Sequence, residues 1–472
     1  MSQLTSIQLF ATPSGGAGPA SEPHIADAGA AAVDHVVDWP TVAQLRRTAA
    51  QEIAEAVAER RAAGPLDSTG ERLLGRSVIK VVVRQHADSL ARQGRPLWSL
   101  AEERSHVRAV EAAIYGYGRL QPLFEIPDAE NIELCGSDSV VVQYGDGTRR
   151  THPPVADTDE ELVESIRFLG ESATPTRPFD PAHPTMTLAL GDRFRLHAIG
   201  FGLAHRPSVT IRQHTLTQVR LHDLVESGMM PLDLAQFLHA AVLARKSIMI
   251  SGDQGAGKTT LLRALIAAIP TNERFGTLET DYELLTHLQP GRSNILALQA
   301  RVGMGEEHLG ARIGEVTVAD LFPEALRQNL SRLIVGEVRG AEAGALFEAL
   351  QSGAGTMATT HSHSAGSTID RLAARVAQGG MWSIAEAYRQ IAHHIHLLVH
   401  VRLDDQTWCG GTRRRVIGQV SQLTGAMEGG WPSTHLMYQA AGPQSAELFH
   451  PDPTMASELE PFRSAWYEQE ES

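Results

Sequence analysis

Residues 252–259 read Gly-Asp-Gln-Gly-Ala-Gly-Lys-Thr, a G-x4-G-K-[ST] spacing whose chemistry is phosphate binding. Glycines at 252, 255 and 257 let the backbone curl until successive N–H groups aim at one anion. The start of the following helix adds its own N–H groups and dipole. The expected cradle comprises Gly252, Asp253, Gln254, Gly255, Ala256, Gly257, Lys258, Thr259 and Thr260. Lys258 can reach the β- and γ-phosphates, and the Thr259 hydroxyl can bind Mg²⁺. An ordinary glycine-rich turn is the alternative, but the flanks argue against it. A short apolar strand (247–250) precedes the loop, and Thr-Leu-Leu-Arg-Ala-Leu-Ile-Ala-Ala-Ile (260–269) follows as a helix. The cofactors expected are therefore ATP and Mg²⁺. Binding alone does not establish hydrolysis.

Hydrolysis needs charge neutralisation and a group that orients water. The region after 216 alternates strands at 247–250, 275–278, 333–335 and 356–360 with helices at about 258–269, 318–328, 340–351 and 366–377. That alternation implies a parallel, doubly wound sheet, which gathers ligands at the carboxyl ends of its strands. The residues just past those ends are the loop, Glu279, Glu337 and His361. Glu337 is the candidate water-orienting base. Glu279 is the candidate for assisting water or magnesium, and His361 for sensing the γ-phosphate. Lys258 completes the catalytic set. Each carboxylate taken alone also reads as a solvated loop residue, and His361 as a structural histidine.

The elements that must position these groups fall into segments. Residues 1–36, rich in Ala, Gly, Ser and Pro, read as disordered. Residues 37–114 show apolar three- and four-residue spacing, a helical region broken at Gly64-Pro65 and near Pro96. Residues 115–215 read as a small α/β domain, with strands near 132–134, 140–144, 185–190, 194–201 and 208–212 and a helix at 158–170. Residues 216–432 hold the phosphate loop. Residues 433–472 turn acidic and Pro-rich and read as a flexible tail.

The bulk numbers bound the possibilities. The chain has 472 residues, too many for one core. Hydrophobic content is 42% and aromatic content 5%, so the core is mostly aliphatic. A formal charge of −14 argues against nucleic acid bound over the whole surface. The only lysines are Lys80, Lys246 and Lys258. Cys135 and Cys409 provide no disulfide framework, which fits a reducing compartment. The N-terminus lacks a signal peptide pattern, and no stretch reaches the ~18 apolar residues of a membrane span. The expectation is a cytoplasmic protein, recruited to the inner face of the membrane by a partner.

Two further clusters invite chemistry. His393, His394, His396 and His400 lack an acidic or cysteine partner at ligand spacing, so a helix end leading into a strand is the better account than a metal site. Arg413-Arg414-Arg415 can bind phosphate or nucleic acid, or decorate a hairpin strand.

In order along the chain, the loop, Thr277-Leu278-Glu279 with Glu283-Leu284, Gly336-Glu337-Val338-Arg339-Gly340 and Thr359-Thr360-His361-Ser362-His363-Ser364 resemble the Walker A, Asp box, atypical Walker B and His box of type II/IV secretion ATPases. Gly116-Tyr117-Gly118-Arg119-Leu120-Gln121-Pro122-Leu123, Arg195-Leu196-His197-Ala198, Thr210-Ile211-Arg212 and Leu423-Thr424-Gly425-Ala426-Met427-Glu428-Gly429 are similar to the CpaF branch, which serves Tad/Flp-type pili. The resemblance spans roughly residues 105–430. It implies an α/β fold: a RecA-like P-loop ATPase domain with a parallel sheet, preceded by a smaller α/β N-terminal domain and a helical arm. It also implies a homohexameric ring, an inner-membrane platform protein as partner, and Arg195 and Arg212 as N-terminal-domain arginines that reach the γ-phosphate. Four departures stand out: Ser331 and Thr280 replace aspartates of the family, Ser352-Gly353-Ala354-Gly355 lacks the first His-box histidine, and His363 stands where the family has Asn. The resemblance implies a motor for secretion or pilus assembly. A nucleic-acid translocating ATPase and a nucleotide-binding scaffold with little turnover are the alternatives.

Overall fold

A computed structural model describes residues 37–466 apart from 174–175, 192, 215–217, 290, 302, 309–310, 341, 352–354 and 442–447. The stretch expected to be disordered (1–36), the last six residues and Ser352, Gly353 and Ala354 lie outside the described residues.

Three helices come first: α1 (Trp39–Ala63), α2 (Ser68–Arg92) and α3 (Leu100–Tyr115). The Ser99 hydroxyl accepts from Glu102 N–H while Glu102 accepts from Ser99 N–H, a reciprocal cap that fixes the start of α3. Val42, Leu45, Ala49, Ile79, Val82, Val83 and Val110 interlock as the core of this layer. A short α4 (Gln121–Phe124) leads into the next unit.

That unit is a six-stranded antiparallel sheet with one helix on it. Its strands are β1 (Ala129–Cys135), β2 (Val140–Tyr144), β3 (Arg149–His152), β4 (Thr185–Leu190), β5 (Phe194–Ile199) and β6 (Ser208–Gln213), in the order β3-β2-β1-β6-β5-β4. Period-two alternation buries Ile132, Leu134, Met186, Leu188, Leu196, Ala198, Val209 and Ile211 beneath α5 (Asp159–Ser172), which contributes Leu162, Ile166 and Leu169. The same alternation sends Arg195 and Arg212 to the opposite face. The two are register partners on neighbouring strands.

The third unit begins with α6 (Leu221–Glu226) and α7 (Leu232–Leu243). It continues through β7 (Ile248–Gly252), α8 (Lys258–Ala267), β8 (Phe275–Glu279) and β9 (Ile295–Gln299). A hairpin of β10 (Met304–His308) and β11 (Ala311–Ile313) stands apart from the main sheet. Then come α9 (Val318–Leu326), β12 (Arg332–Val335), α10 (Glu342–Gln351), β13 (Met357–His361), α11 (Ala365–Gln378) and α12 (Ile384–His394). The chain closes with β14 (Leu397–Asp405), β15 (Arg413–Glu428), β16 (Trp431–Gln439), β17 (Leu448–Phe449) and α13 (Pro453–Leu459). The sheet order is β17-β16-β15-β14-β7-β13-β12-β8-β9.

The six strands from β14 to β9 pair in parallel, and β15 to β17 extend the sheet antiparallel. The sheet is therefore mixed, where the helix–strand alternation predicts a parallel one. The cause is the run after β14, which returns by a short turn rather than through a helix, and only parallel neighbours need a crossover.

Within the expected flexible tail (433–472), the described residues up to 466 include packed elements, while 442–447 and 467–472 lie outside the described residues. Residues 431–439 form β16, with Met437 and Tyr438 buried, and Met455, Leu459 and Trp466 join the core against α7. Lys246 Nζ holds Glu458 at 2.6 Å. Averaged composition hides these few apolar anchors between acidic residues.

Candidate functional site

β7 is buried at every position and sits centrally, between β14 and β13. At its end, Gly252 presses against the Val401 carbonyl: a Cβ there would lie 2.2 Å from that oxygen. Gly255 and Gly257 take φ of +75° and +95°, the left-handed region that favours glycine. The loop thus turns sharply and delivers Lys258 and Thr259 to the first turn of α8.

Lys258 is 7% exposed. Its Nζ donates to the carbonyls of Gly252 (3.0 Å) and Asp253 (2.8 Å) and to His361 Nδ1 (3.1 Å). Burial, assisted by the Arg212 and Arg339 charges, lowers its pKa to about 8 against the pull of Glu337 and Asp253.

The His361 ring continues the chain. Its Nδ1 accepts from Lys258 Nζ, and its Nε2 lies 3.0 Å from Glu337 Oε1, an ion-pair distance without hydrogen-bond geometry. Glu337 Oε2 accepts from Arg339 at 2.6 Å. Burial pushes the Glu337 carboxyl up, but His361 and Arg339 together outweigh it and hold the pKa at about 2. Glu337 is therefore an ionised acceptor throughout the physiological range. Its loop is pinned from both sides: Gly336 N–H donates to Leu278 O, Val338 N–H to Thr359 O, and the Thr359 and Thr360 hydroxyls to the carbonyls of Gly336 and Val338.

Glu279 ends β8 and is 2% exposed. Its Oε1 accepts from Glu283 N–H (2.9 Å) and Leu284 N–H (2.7 Å), while Oε2 has no hydrogen-bond partner among the described residues. Burial raises its pKa to about 8, against those two backbone bonds. Gly336 makes room for it, since a Cβ at 336 would stand 3.1 Å from Glu279 Cγ.

The sheet thus gathers the loop, Lys258, His361 and Glu337 into one connected run, with Glu279 packed beside the Glu337 loop. Arg195 lies across the domain boundary, paired with Asp281 (2.6 Å) and Glu283 (2.6 Å). The Glu283 carbonyl is in turn held by Arg263 of α8 at 2.8 Å. Burial lowers the pKa of both Lys258 and Arg263, and the Arg212 charge adds a smaller push in the same direction.

Sequence reasoning missed several residues here. Arg339 stands in a quoted motif, yet its grip on Glu337 carries no spacing signal. Arg413 and Arg415 read as hairpin decoration or a phosphate-binding run. In the structure both approach the phosphate loop and pair with Glu130. Two histidines of the run tie strands together: His396 Nδ1 accepts from Ser247 N–H (3.0 Å), and His400 Nδ1 contacts the Ser251 hydroxyl (3.1 Å).

Ser331 departs from the family pattern at the opposite end of β12 from Glu337. Its hydroxyl donates within 2.7 Å of both Glu273 Oε1 and the Arg274 carbonyl. Arg332, 1% exposed, bonds the same glutamate. This is a structural ion cluster and not part of the phosphate site.

The chain is similar to several known proteins. A putative conjugal transfer protein of Mycobacterium tuberculosis is 31% identical over 310 residues, 64% of this chain and 84% of that protein. VirB11 of Agrobacterium fabrum is 35% identical over 130 residues, 27% of this chain and 35% of its own length. Among solved structures, the Legionella pneumophila ATPase DotB aligns with a TM-score of 0.42 and 19% identity, covering 61% of this chain and 75% of that one. Residues 148–431 match the family described as Type II/IV secretion system protein, and by that match over more than half its length the chain belongs to this family.

Proposed function

We propose that this chain hydrolyses ATP at the boundary of its two sheet domains and converts the cycle into motion of the N-terminal domain, powering protein secretion or Tad/Flp-type pilus assembly. The observation that carries this reading is the run Lys258–His361–Glu337–Arg339 against the phosphate loop. Loop N–H groups from Gly252 to Thr260 bind phosphate, and Lys258 reaches its terminal part. Ionised Glu337 accepts a proton of the attacking water and orients it. His361 is held between Lys258 and Glu337, so a phosphate that draws Lys258 away alters the Glu337 contact. Arg195 and Arg212, on a separate domain, respond to the γ-phosphate and move with it.

The residues fit a divalent cation with oxygen ligands: Thr259 would hold Mg²⁺, and the unpartnered Glu279 Oε2 is an oxygen donor in reserve. When bound, the ion neutralises phosphate charge. A ring of six, docking on an inner-membrane platform protein from the cytoplasmic side, completes the proposal. No helix among the described residues is long and apolar enough to cross a membrane.

A second reading, nucleic-acid translocation, is favoured by the name of the mycobacterial relative and opposed by the charge of −14. The departure at Ser331 lends the scaffold reading little support, because its hydroxyl bonds Glu273 and the Arg274 carbonyl. Phosphate release should be measured for wild type and Lys258→Ala, with and without DNA, with light scattering alongside. Release by wild type alone, from a ring and without DNA, supports the motor. Equal release by Lys258→Ala removes it, and release only with DNA favours the second reading.

A further inference from the structure

Arg415, on β15, touches three places at once. Its Nε donates to the Gly255 carbonyl of the phosphate loop (2.8 Å). Its Nη1 donates to the Gly145 carbonyl at the β2–β3 turn (3.2 Å). Its Nη2 donates to both carboxylate oxygens of Glu130 on β1 (2.6 and 2.8 Å). Arg413 adds a bond from Nη1 to Glu130 Oε2 (3.1 Å) and pairs with Asp405 at 3.4 Å. The arginine stems also cover the loop glycines: a Cβ at Gly257 would stand 3.3 Å from Arg415 Cδ, and one at Gly255 3.5 Å from Arg413 Nη2.

The peptide joining Gly255 to Ala256 is therefore fixed at both ends. Its carbonyl goes to Arg415, and its N–H donates to the Asp253 carbonyl at 3.3 Å. A peptide turned this way sets where the neighbouring loop N–H groups aim. The guanidinium fork fixes direction as well as charge. Its other prongs end on the N-terminal sheet domain, so the loop's shape and that domain's position are tied through one side chain.

We propose that Arg415 is a positioning residue that couples the N-terminal domain to the phosphate loop, with Glu130 as its anchor. The proposal rests on the loop being the nucleotide site, and by linkage nucleotide tightens the domain contact as much as the contact tightens nucleotide.

Charge alone and positioning predict opposite signs for Glu130→Gln. Removing a negative charge near a phosphate site strengthens anion binding if only charge matters. Loss of the anchor weakens it if positioning matters. The test is titration of full-length protein with a fluorescent ADP analogue, with thermal unfolding to verify the fold of each variant. Glu130→Gln is expected to bind about fivefold more weakly, the low end of typical coupling. Arg415→Ala is expected to bind about tenfold more weakly, and the double variant no worse than Arg415→Ala alone. Arg415→Lys, which keeps the charge and loses the fork, should bind as weakly as Arg415→Ala. Unchanged or tighter binding by Glu130→Gln, multiplied effects in the double variant, or restoration by lysine would overturn the proposal. None of these readings needs turnover, so they stand apart from the hydrolysis test. If wild type binds no nucleotide while folded, the underlying site reading fails, and this proposal with it.

Discussion

Lys258 bears charge at a cost to folding, which gives a prediction with a definite sign. Its pKa falls from 10.5 to about 8 because burial dominates over the nearby carboxylates. That difference corresponds to about 3 kcal/mol between the charged and neutral forms, at roughly 1.4 kcal/mol per pH unit. In the unfolded chain the lysine keeps its proton up to its ordinary value. Between pH 8 and 10.5 the unfolded state therefore binds more protons, and stability rises with pH across that window. Below pH 8 the full cost is present. Lys258→Met removes it and fills similar space. The variant should be more stable than wild type at pH 7, by up to about 3 kcal/mol, with the advantage vanishing near pH 10.5. Urea unfolding of both proteins from pH 6.5 to 10.5 reads this, because titrating groups away from Lys258 cancel in the difference. The same group predicts nucleotide affinity. If only the ammonium binds phosphate, wild-type affinity falls about tenfold from pH 7 to pH 9, and Lys258→Arg, which does not titrate there, shows no such fall. A Lys258→Met variant less stable than wild type at pH 7, or a flat wild-type affinity profile, would rule out a destabilising buried charge at Lys258.

Three other outcomes follow from the same geometry. Gly252→Ala puts a methyl 2.2 Å from the Val401 carbonyl, and should cost about 1–3 kcal/mol in unfolding assays and abolish nucleotide binding. Ser331→Asp restores the family's residue, yet it places a second carboxylate on Glu273; it should lower the unfolding midpoint and leave hydrolysis of bound ATP unchanged. Glu279 has a raised pKa, so its folded form retains a proton that the unfolded chain loses, and stability falls as pH rises from 4.5 through about 8. Glu279→Gln should therefore gain stability relative to wild type above pH 8, measured by denaturant titration.

The strands were legible where apolar runs end at glycine or a carboxylate. The expected 185–190 strand matches β4 in full, and the four expected strands of the ATPase sheet overlap β7, β8, β12 and β13. Reading past those strand ends led to Glu279, Glu337 and His361, which the sheet order carries to one rim. Less was legible after residue 400. β15 is 16 residues long, but Arg413-Arg414-Arg415, Gly418 and Gly425 interrupt its alternation. Most of β16 lies in a segment whose acidic, Pro-rich composition reads as a flexible tail. The contact between Glu130 and Arg415 spans 285 residues of sequence, and no local pattern announces it. Ser331 shows the converse problem: a motif departure draws attention by alignment with its neighbours, although the residue sits at the far end of its strand and serves the Glu273 cluster.

In the proposed cycle, ionised Glu337 activates water at a nucleotide held by the loop. Single-turnover hydrolysis of radiolabelled ATP, with protein in excess, isolates that step from release and assembly. Glu337→Gln should bind ATP with wild-type affinity and hydrolyse it at least about a hundredfold more slowly, the lower bound for losing a general base. Equal single-turnover rates for the two proteins, at equal occupancy, would rule out Glu337 as the water-activating base.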